Sequence, residues 1–369
     1  MRIERIELRL LRLPLVRFFE TSFGRTSERR FVLVTVEGDG AVGRGECVAD
    51  ANPFYSAETT GTAWHVISEF IAPLVGGRDF AHPRDIWPAL QPIRGHHMAK
   101  AAVEMAAWDL FACQQGVPLW QALGGTRRCI EAGVSVGIQD SLEELVDRVA
   151  IERSAGYRRV KIKIKPGWDV EPVALLRQRF GDFPLMVDAN GAYRLADAAP
   201  VQALDEYALL MVEQPLDYDD LRDHARLQAR MRTPICLDES IGSVRQAEEA
   251  IDLGACRVIN VKPGRVGGHA RSRDLHDVAA RHGVPLWHGG MLESGIGRAH
   301  NLHLSTLPNF TLPGDVAASR RYYAPDLIEP EIDVQPDGTI AVPAGPGIGV
   351  TVVADRVEAA TLERLDIRV

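Results

Sequence analysis

The stretch KIKIKPG at residues 161–167 is the first of five short runs in which apolar residues lead to a charged one. The others read PLMVDANG (184–191), LLMVEQP (209–215), PICLDES (234–240) and VINVKPG (258–264). Subtracting residue numbers, the charged residues Lys163, Asp188, Glu213, Asp238 and Lys262 lie 25, 25, 25 and 24 positions apart. One strand plus one helix takes roughly that length, so the sequence predicts a parallel α/β repeat.

The same alternation continues on both sides of these five runs. It begins at AGVSVGI (132–138), runs through VPLWHGG (284–290) and ends near NFTLPG (309–314), which gives eight strands. Ser141 and Glu144 have the spacing of a helix capping box, and Gly181 ends the helix that begins near Pro172. We predict a TIM-like α/β barrel over residues 126–319, whose active site lies at the carboxyl ends of the strands.

The residues before and after the repeat have a different pattern. Residues 2–15 and 30–48 alternate as strands do, and a helical pattern fills 97–116 and stops at Gly116. This predicts a separate α+β domain over residues 1–125. Residues 320–369 contain short apolar runs between turns but no βα repeat, and we expect them to pack back on that first domain.

The composition excludes several classes of partner. The chain has 369 residues, a net charge of −8 and a sequence pI near 5.8, which argues against binding nucleic acid or an anionic membrane surface. Its five cysteines form no C-x-x-C pair, and no run of about eighteen apolar residues occurs. The charged start MRIERIELRL lacks the apolar region of a signal peptide, so we expect a cytoplasmic enzyme.

Three carboxylates in successive βα units predict a metal site. Asp188, Glu213 and Asp238 each follow two to five apolar residues, where an unpaired charge is unfavourable. One such residue alone is more often a helix N-cap, but three in a row favour oxygen ligation of Mg²⁺, with Mn²⁺ as a substitute. Asn190 and Glu239 are expected to support the ligands, with helix capping as the alternative for both.

The lysines predict proton transfer. Lys161, Lys163 and Lys165 share one face of a strand, which is typical of a solvated edge strand; an interior barrel strand has no such face, so they should point into the barrel mouth. Lys163 on strand two and Lys262 on strand six would face each other. A carboxylate substrate between them could lose its α-proton to one lysine.

A lysine that acts as a base must be neutral. We expect crowding by Lys161, and by Arg265 near Lys262, to lower the lysine pKa values. We interpret His96 and His97 as structural residues and His288 as part of the pocket wall. The glycine-bearing loop VKPGRVGG (261–268) matches no phosphate-binding fingerprint.

At these residues the chain resembles the enolase superfamily, in its muconate-lactonizing subgroup, over essentially the full length. The more specific resemblance is to the group of o-succinylbenzoate synthases and N-succinylamino acid (N-acylamino acid) racemases. It is carried by RFFETSFG (17–24), YRRVKIKIKPGWD (157–169), EQPLDYDDLRDHARLQ (213–228), TPICLDES (233–240), NVKPGRVGGHA (260–270) and GGMLESGIGRAHNLHLSTLPNFTLPGD (289–315). The resemblance implies a (β/α)7β barrel with an α+β capping domain built from the N-terminus and the C-terminal segment.

The resemblance also implies roles for individual residues. Metal binding falls on Asp188, Glu213 and Asp238, and general acid/base catalysis on Lys163 and Lys262. Counting back from Pro166 and Gly167 places the family's K-x-K pair at Lys161 and Lys163. Arg265 resembles a residue of the racemising members. Positions matching the family's substrate contacts are Phe19, Phe23, Tyr55, Ser135, Gly290 and Met291.

The activity implied is Mg²⁺-dependent removal of a proton α to a carboxylate. The favoured reactions are dehydration of 2-succinyl-6-hydroxy-2,4-cyclohexadiene-1-carboxylate to o-succinylbenzoate and racemisation of N-succinylamino acids. A muconate cycloisomerase or dipeptide epimerase would share the barrel and differ in the cap loops. A non-catalytic metal-binding barrel would have no reason to keep two opposed lysines. We expect a small-molecule carboxylate substrate and a homo-oligomer.

Overall fold

The computed structural model describes residues 1–368 and contains an antiparallel capping sheet and a curled parallel sheet. The strands are β1 (Arg5–Thr21), β2 (Gly24–Gly38), β3 (Ala41–Cys47), β4 (Cys129–Glu131), β5 (Gly133–Val136), β6 (Arg159–Lys163), β7 (Leu185–Asp188), β8 (Val212–Glu213), β9 (Ile235–Leu237), β10 (Val258–Val261), β11 (Leu286–His288), β12 (Ile328–Glu329), β13 (Thr339–Ala341), β14 (Thr351–Val352) and β15 (Thr361–Arg368).

The helices lie mostly between the strands of the parallel sheet. They are α1 (Thr60–Val66), α2 (Ala72–Val75), α3 (Ile86–Leu90), α4 (His97–Gln114), α5 (Leu119–Leu123), α6 (Leu142–Ser154), α7 (Val170–Phe180), α8 (Ala199–Ala203), α9 (Leu221–Gln228), α10 (Val244–Asp252), α11 (Pro263–Val266), α12 (His269–Arg281), α13 (Gly295–Leu304) and α14 (Ala354–Ala360). A π-helical turn spans Ile67–Ile71, and 3₁₀ turns span Pro83–Asp85, Leu195–Asp197, Leu204–Tyr207 and Ser319–Arg321. Among residues 1–368, no helix is long and apolar enough to cross a membrane.

The predicted barrel is confirmed, with one irregular strand. Strands β5 to β11 pair in sequence order, each parallel to the next. The expected eighth strand near residues 309–314 is not a regular strand but a pair of single bridges, Leu286 to Phe310 on one side and Ala132 to Gly314 on the other. The Gly133 amide donates to the Gly314 carbonyl at 2.6 Å, so this segment joins the two edges of the sheet.

Alternation along each strand stacks the charged residues on an apolar layer. Residues two apart on a strand face the same side, so Met186 lies below Asp188 and Met211 below Glu213. The layer is formed by Met186, Met211, Cys236, Val258 and Trp287, all buried. The apolar residues fill the barrel, and the polar residues therefore gather at the carboxyl ends of the strands.

The capping sheet has the order β15-β1-β2-β3, so strands from both ends of the chain form it. Helix α4 covers this sheet and ends before Gly116, as predicted. Not all of the C-terminal segment returns to the cap, because β13 pairs with β4 beside the barrel. Phe19 and Phe23, both predicted as substrate contacts, lie at the tip of the long β1–β2 hairpin.

The local signals for two barrel helices are also present. The Ser141 side chain accepts a hydrogen bond from the Glu144 amide at the start of α6. Glu144 in turn accepts from the amide of Asp140 at 3.3 Å, one residue before the expected position. Gly181 ends α7 with a φ of +67°, which favours glycine.

Two buried carboxylates of the cap bind the first amides of barrel helices. Glu46 accepts hydrogen bonds from the Ser294 amide and hydroxyl and from the Gly297 amide at the start of α13. Glu104 accepts from the amides of His269 and Ala270 at the start of α12. The first amides of a helix have no acceptor within the helix, so these hydrogen bonds fix the cap against the barrel, although burial raises the pKa of Glu46 to about 8 and of Glu104 to about 7.

The Glu104 contact requires a glycine beside it. A Cβ atom on Gly268 would lie 2.2 Å from the nearer carboxylate oxygen of Glu104, and the φ of Gly268 is +111°. Both reasons select glycine at the residue before α12.

We predict that Glu104→Gln weakens the fold. Both carboxylate oxygens accept hydrogen bonds, one of them from the Trp108 indole as well, and an amide NH₂ would face an N–H donor. A buried group left unsatisfied costs about 1–3 kcal/mol, so the free energy of unfolding should fall by about that amount. Denaturant unfolding at one pH measures it. Glu143→Gln, on the exposed first turn of α6, is the control, and an equal change in both variants would contradict the assignment.

Candidate functional site

A cavity of about 90 Å³ lies where the cap covers the carboxyl ends of the barrel strands. Three lysines and Asn190 line its barrel side, and two aromatic residues of the β1–β2 hairpin line its cap side. All six residues predicted to contact the substrate border this one cavity. The predicted residues in its wall are Phe19, Phe23, Tyr55, Ser135, Lys161, Lys163, Asn190, Lys262, Gly290 and Met291.

The three carboxylates predicted as metal ligands are fully buried beside the cavity. Asp188 and Glu213 are directly paired across β7 and β8, and Asp238 follows β9. Each carboxylate contacts a side-chain cation. Lys161 Nζ lies 3.2 Å from Asp188 and 2.8 Å from Glu213, and Lys163 Nζ lies 2.6 Å from Asp188.

Lys262 and Arg265 form the opposite side of the site. Lys262 Nζ lies 2.8 Å from Asp238 Oδ2, and the Arg265 guanidinium pairs with the other oxygen of the same carboxylate. Both also donate to the Tyr55 hydroxyl, at 3.0 Å and 3.3 Å. A cap residue therefore contacts the second predicted base directly.

The pKa values of these groups follow from burial and from mutual charge. Burial and the neighbouring Asp188 raise the pKa of Glu213 well above its ordinary value. Burial alone would raise the pKa of Asp188 and of Asp238, but their cationic neighbours outweigh it, and both pKa values are lowered. Burial, with some help from Asp238, raises the pKa of Tyr55 to about 12, so its hydroxyl stays protonated at neutral pH.

The expectation that crowding by Arg265 lowers the pKa of Lys262 overall is wrong. Burial does lower the pKa of Lys262, and Arg265 adds to that effect, but Asp238 and Tyr55 raise it by more. The pKa of Lys161 is likewise raised, because Asp315, Glu213 and Asp188 together outweigh burial. The nearest charges are carboxylates, and at these short distances they dominate.

The three buried carboxylates suit a hard divalent cation, although each is ion-paired here with a lysine or arginine side chain. Three buried carboxylates on neighbouring strands offer only oxygen ligands, the set that Mg²⁺ prefers. Glu239 Oε2 and Asn260 Oδ1 beside them are buried acceptors without a partner in residues 1–368. As placed, no group of three His, Cys, Asp or Glu side chains in this range could hold a metal ion. Binding would therefore require the lysine contacts to open.

Asn190 and Glu239 connect the first lysine to the carboxylates. Lys163 Nζ donates to Asn190 Oδ1 at 2.8 Å, and Asn190 Nδ2 donates to Glu239 Oε1 at 2.8 Å. The backbone N–H of Asn190 also donates to Asp188 Oδ1 at 2.9 Å. Burial and the charge of Asp238 raise the pKa of Glu239 to about 7. These contacts hold Lys163 on the Asp188 side of the cavity.

Sequence reasoning missed a fourth carboxylate. Asp315, after the irregular eighth strand, lines the cavity with one oxygen 2.6 Å from Lys161 Nζ and the other 2.6 Å from Arg159 Nη1. Asp315 closes the quoted run GGMLESGIGRAHNLHLSTLPNFTLPGD, and Arg159 lies two residues before Lys161 on the same strand face. That alternation could have identified Arg159.

Two more arginines in the cavity wall were missed. Arg29 of the cap and Arg298 of α13 are almost fully buried, and each has one guanidinium nitrogen, Nε in Arg29 and Nη1 in Arg298, without a hydrogen-bond partner in residues 1–368. Arg29 pairs with Asp50, and Arg298 Nη1 lies 3.7 Å from Asp326. Nothing in their sequence spacing points to the barrel mouth, because both reach it from elements distant in the chain.

The histidines fall outside this cavity. His288 was predicted to form part of the pocket wall, but it follows the inward-facing Trp287 and so points to the other side of β11. It stacks on Phe310 with ring centroids 6.2 Å apart and lines a separate cavity of about 50 Å³. His97 Nδ1 lies 3.0 Å from the Arg265 carbonyl, a contact consistent with its structural interpretation.

Two family models match this chain. The N-terminal domain of mandelate racemase and muconate lactonizing enzyme matches residues 5–124, and an enolase C-terminal domain-like model matches residues 144–356. An o-succinylbenzoate synthase of Geobacillus kaustophilus is 52% identical over 357 residues, covering 96% of this chain and 95% of that protein. An N-succinylamino acid racemase of Thermus thermophilus is 51% identical over 362 residues, covering 98% of both.

The fold of a solved protein agrees with these matches. The crystal structure of an enolase superfamily member from Listeria innocua superposes with a TM-score of 0.96 at 38% identity, covering 100% of this chain and 99% of that one.

We predict that Asp315→Asn destabilises the protein strongly. Its carboxylate separates two buried cations, Arg159 and Lys161, and removing one partner of a buried ion pair typically costs about 3–5 kcal/mol. Chemical denaturation measures the loss. Asp140→Asn breaks the ion pair with Arg25, whose two side chains are 44% and 60% exposed, and should cost less than about 1 kcal/mol. Similar losses in both variants would show that Asp315 does not neutralise this cluster.

Proposed function

This chain belongs to the mandelate racemase and muconate lactonizing enzyme family of the enolase superfamily, and we propose that it is an o-succinylbenzoate synthase that also racemises N-succinylamino acids. Its physiological chemistry would then begin with removal of a proton α to a carboxylate. Two relatives that are each about 50% identical to this chain in sequence carry these two names.

The observation that carries the proposal is the pair of lysines on opposite sides of one covered cavity. Lys163 is the last residue of the second strand of the parallel sheet, and Lys262 follows the sixth, four strands further on. Both line the cavity. Each is anchored to a different carboxylate, Asp188 for Lys163 and Asp238 for Lys262. A substrate between them would present one face to each lysine.

The residues that would hold Mg²⁺ are Asp188, Glu213 and Asp238. When bound, Mg²⁺ would neutralise the carboxylate of the substrate and so make its α-proton more acidic. Lys161 would stay protonated, since Asp315 keeps a carboxylate 2.6 Å from its Nζ. It would place a further positive charge where negative charge develops on the substrate.

The two reactions use the lysines differently. In dehydration, Lys163 would take the α-proton and then give a proton to the departing hydroxyl on the same face, while Lys262 stays protonated and stabilises negative charge. In racemisation, one lysine would take the proton and the other would return it to the opposite face. Racemisation therefore requires both lysines, and dehydration requires one.

The charges of the cavity favour an acylated, acidic substrate over a dipeptide. Arg29 and Arg298 are ion-paired, yet in the part of the chain that the structure describes each keeps one guanidinium nitrogen without a hydrogen-bond acceptor, which an anion could supply. A free amino group would instead need a carboxylate with no cation beside it. Within residues 1–368, the carboxylates that line the cavity are engaged. Asp50 pairs with Arg29, Asp315 with Arg159 and Lys161, and Glu293 accepts from the Met291 amide. This supports the succinyl group of substrates over the dipeptide epimerase alternative.

A substrate panel tests the proposal. We expect turnover of 2-succinyl-6-hydroxy-2,4-cyclohexadiene-1-carboxylate and of both enantiomers of N-succinylphenylalanine, loss of both activities on chelation, and recovery with Mg²⁺. Turnover of muconate or of L-Ala-D/L-Glu, with none of the succinyl substrates, would contradict it.

We predict that Lys262→Arg separates the two reactions. Arginine keeps the positive charge but cannot become a neutral base near neutral pH. Racemisation should fall by at least about a hundredfold, the lower range for loss of a general base, while dehydration remains measurable. Polarimetry follows the first reaction and ultraviolet absorbance the second.

Lys165→Arg is the matched control. Lys165 belongs to the same KIKIK run as Lys163, but it lies outside the cavity and contacts Glu20 at 3.4 Å. It should retain both reactions. Equal loss of dehydration and racemisation in Lys262→Arg would show that Lys262 is not specifically the second base.

A further inference from the structure

A second, larger cavity of about 420 Å³ adjoins the first, and we call it the outer groove. It lies between helix α6 and residues 17–19 of β1, at the approach to the hairpin tip. Phe19 and Tyr322 line both cavities, so these two aromatic side chains are the wall between them. The mechanism described above makes no use of the outer groove.

Three arginines give the outer groove a positive side. Arg17, Arg148 and Arg321 all line it. Arg148 and Arg321 share a single carboxylate oxygen of Glu152, at 3.6 Å and 2.8 Å, and Arg17 has no ion-pair partner in residues 1–368. Burial, then repulsion from Arg17 and Arg321, lowers the pKa of Arg148. The cluster therefore has more positive charge than its one carboxylate neutralises.

The opposite rim of the outer groove is acidic and limits what can bind. Asp140 is already paired with Arg25, at 2.5 Å, and Glu144 and Asp147 are exposed to solvent. The side chains of Arg148 and Arg321 are only 13% exposed, so their charges are screened less than those of the acidic rim. A single carboxylate would bind on the arginine side, whereas a polyanion would be repelled by the rim.

The outer groove is joined to the substrate cavity through one strand end. Ser135 lines the inner cavity, and the next two residues, Val136 at the end of β5 and Gly137 after it, line the outer groove. Arg321 Nη2 donates to the Ser135 carbonyl at 2.6 Å. The Tyr322 ring contacts one arginine of each cavity: its centroid lies 5.2 Å from the guanidinium of Arg298, which lines the inner cavity, and 5.7 Å from that of Arg321, which lines the outer groove.

We propose that the outer groove binds the terminal carboxylate of N-acylamino acids whose dicarboxylic acyl chain is longer than succinyl. Arg148 and Arg321 would bind that carboxylate. Rotation of the Phe19 side chain, which stands on the hairpin tip, would connect the two cavities. This inference rests on the proposed function and adds a substrate class to it.

The test compares acyl chains of increasing length on one amino acid. Racemisation of N-succinyl-, N-adipoyl- and N-hexanoylphenylalanine is measured with Mg²⁺ for the wild type, Arg148→Met and Arg245→Met. Loss of one charge-assisted hydrogen bond should lower kcat/KM for the adipoyl substrate about tenfold relative to the succinyl substrate in Arg148→Met. The hexanoyl-to-succinyl ratio of kcat/KM should stay the same, because the hexanoyl chain ends in a methyl group and carries no charge. Arg245, exposed on α10 and outside both cavities, is the matched control.

A second variant and a second measurement keep the result decisive. Arg17 is exposed, so Arg17→Met gives a second test if Arg148→Met folds poorly. It should lower the adipoyl-to-succinyl ratio of kcat/KM by about two- to threefold. Calorimetric affinities for the same compounds give the ratio without turnover. Absent turnover of N-succinylphenylalanine would then contradict the proposed function, while the affinity ratio still decides the role of the groove.

Two results would overturn the inference. One is an adipoyl-to-succinyl ratio that is the same in wild type, Arg148→Met and Arg17→Met. The other is binding of free adipate that does not compete with N-adipoylphenylalanine, because that would make the groove an independent anion site.

Discussion

Three carboxylates buried at the ends of adjacent parallel strands are the constraint on which this structure depends. Asp188, Glu213 and Asp238 have no exposed surface, and together their negative charges would be strongly unfavourable without compensation. Lys161, Lys163 and Lys262 supply it from the same barrel mouth. The balance of opposite charges that permits burial also places two proton-transfer groups on opposite sides of one cavity.

The cap and the barrel contribute different parts of the site. The barrel supplies the carboxylates and lysines from the rigid ends of its strands, and the cap covers them with Phe19, Phe23 and Tyr55. Glu46 and Glu104 hold the cap in place by binding the first amides of α13 and α12. Proton transfer therefore depends on the barrel, while the shape of the substrate cavity depends on how the cap docks. Tyr55 joins the two, because its hydroxyl accepts from Lys262.

Local periodicity predicted what depends on neighbours in sequence. The regular spacing from Lys163 to Lys262 predicted the βα units. The alternation KIKIK correctly predicted that Lys161 and Lys163 point into the barrel mouth, but it wrongly included Lys165, which follows the end of β6 and contacts Glu20 outside the cavity. The pairing of Asp315 with Lys161 and Arg159 could not be predicted, since it joins residues more than 150 positions apart through an irregular strand. For the same reason the pKa shift of Lys262 was predicted with the wrong sign: the sequence shows the nearby Arg265, and only the fold brings the Asp238 carboxylate to Lys262. The resemblance to a known family added the cap residues, which no spacing would have selected.

The central claim is that Lys163 and Lys262 exchange a proton with opposite faces of the same α-carbon. The most direct measurement is proton NMR of the wild-type enzyme with Mg²⁺ in D₂O, following the α-proton of each enantiomer of N-succinylphenylalanine in separate samples. The account predicts that both enantiomers lose the α-proton signal at initial rates within about tenfold of each other, since each lysine acts as base for one of them. Exchange of neither enantiomer, with both shown to bind by calorimetry, would contradict it.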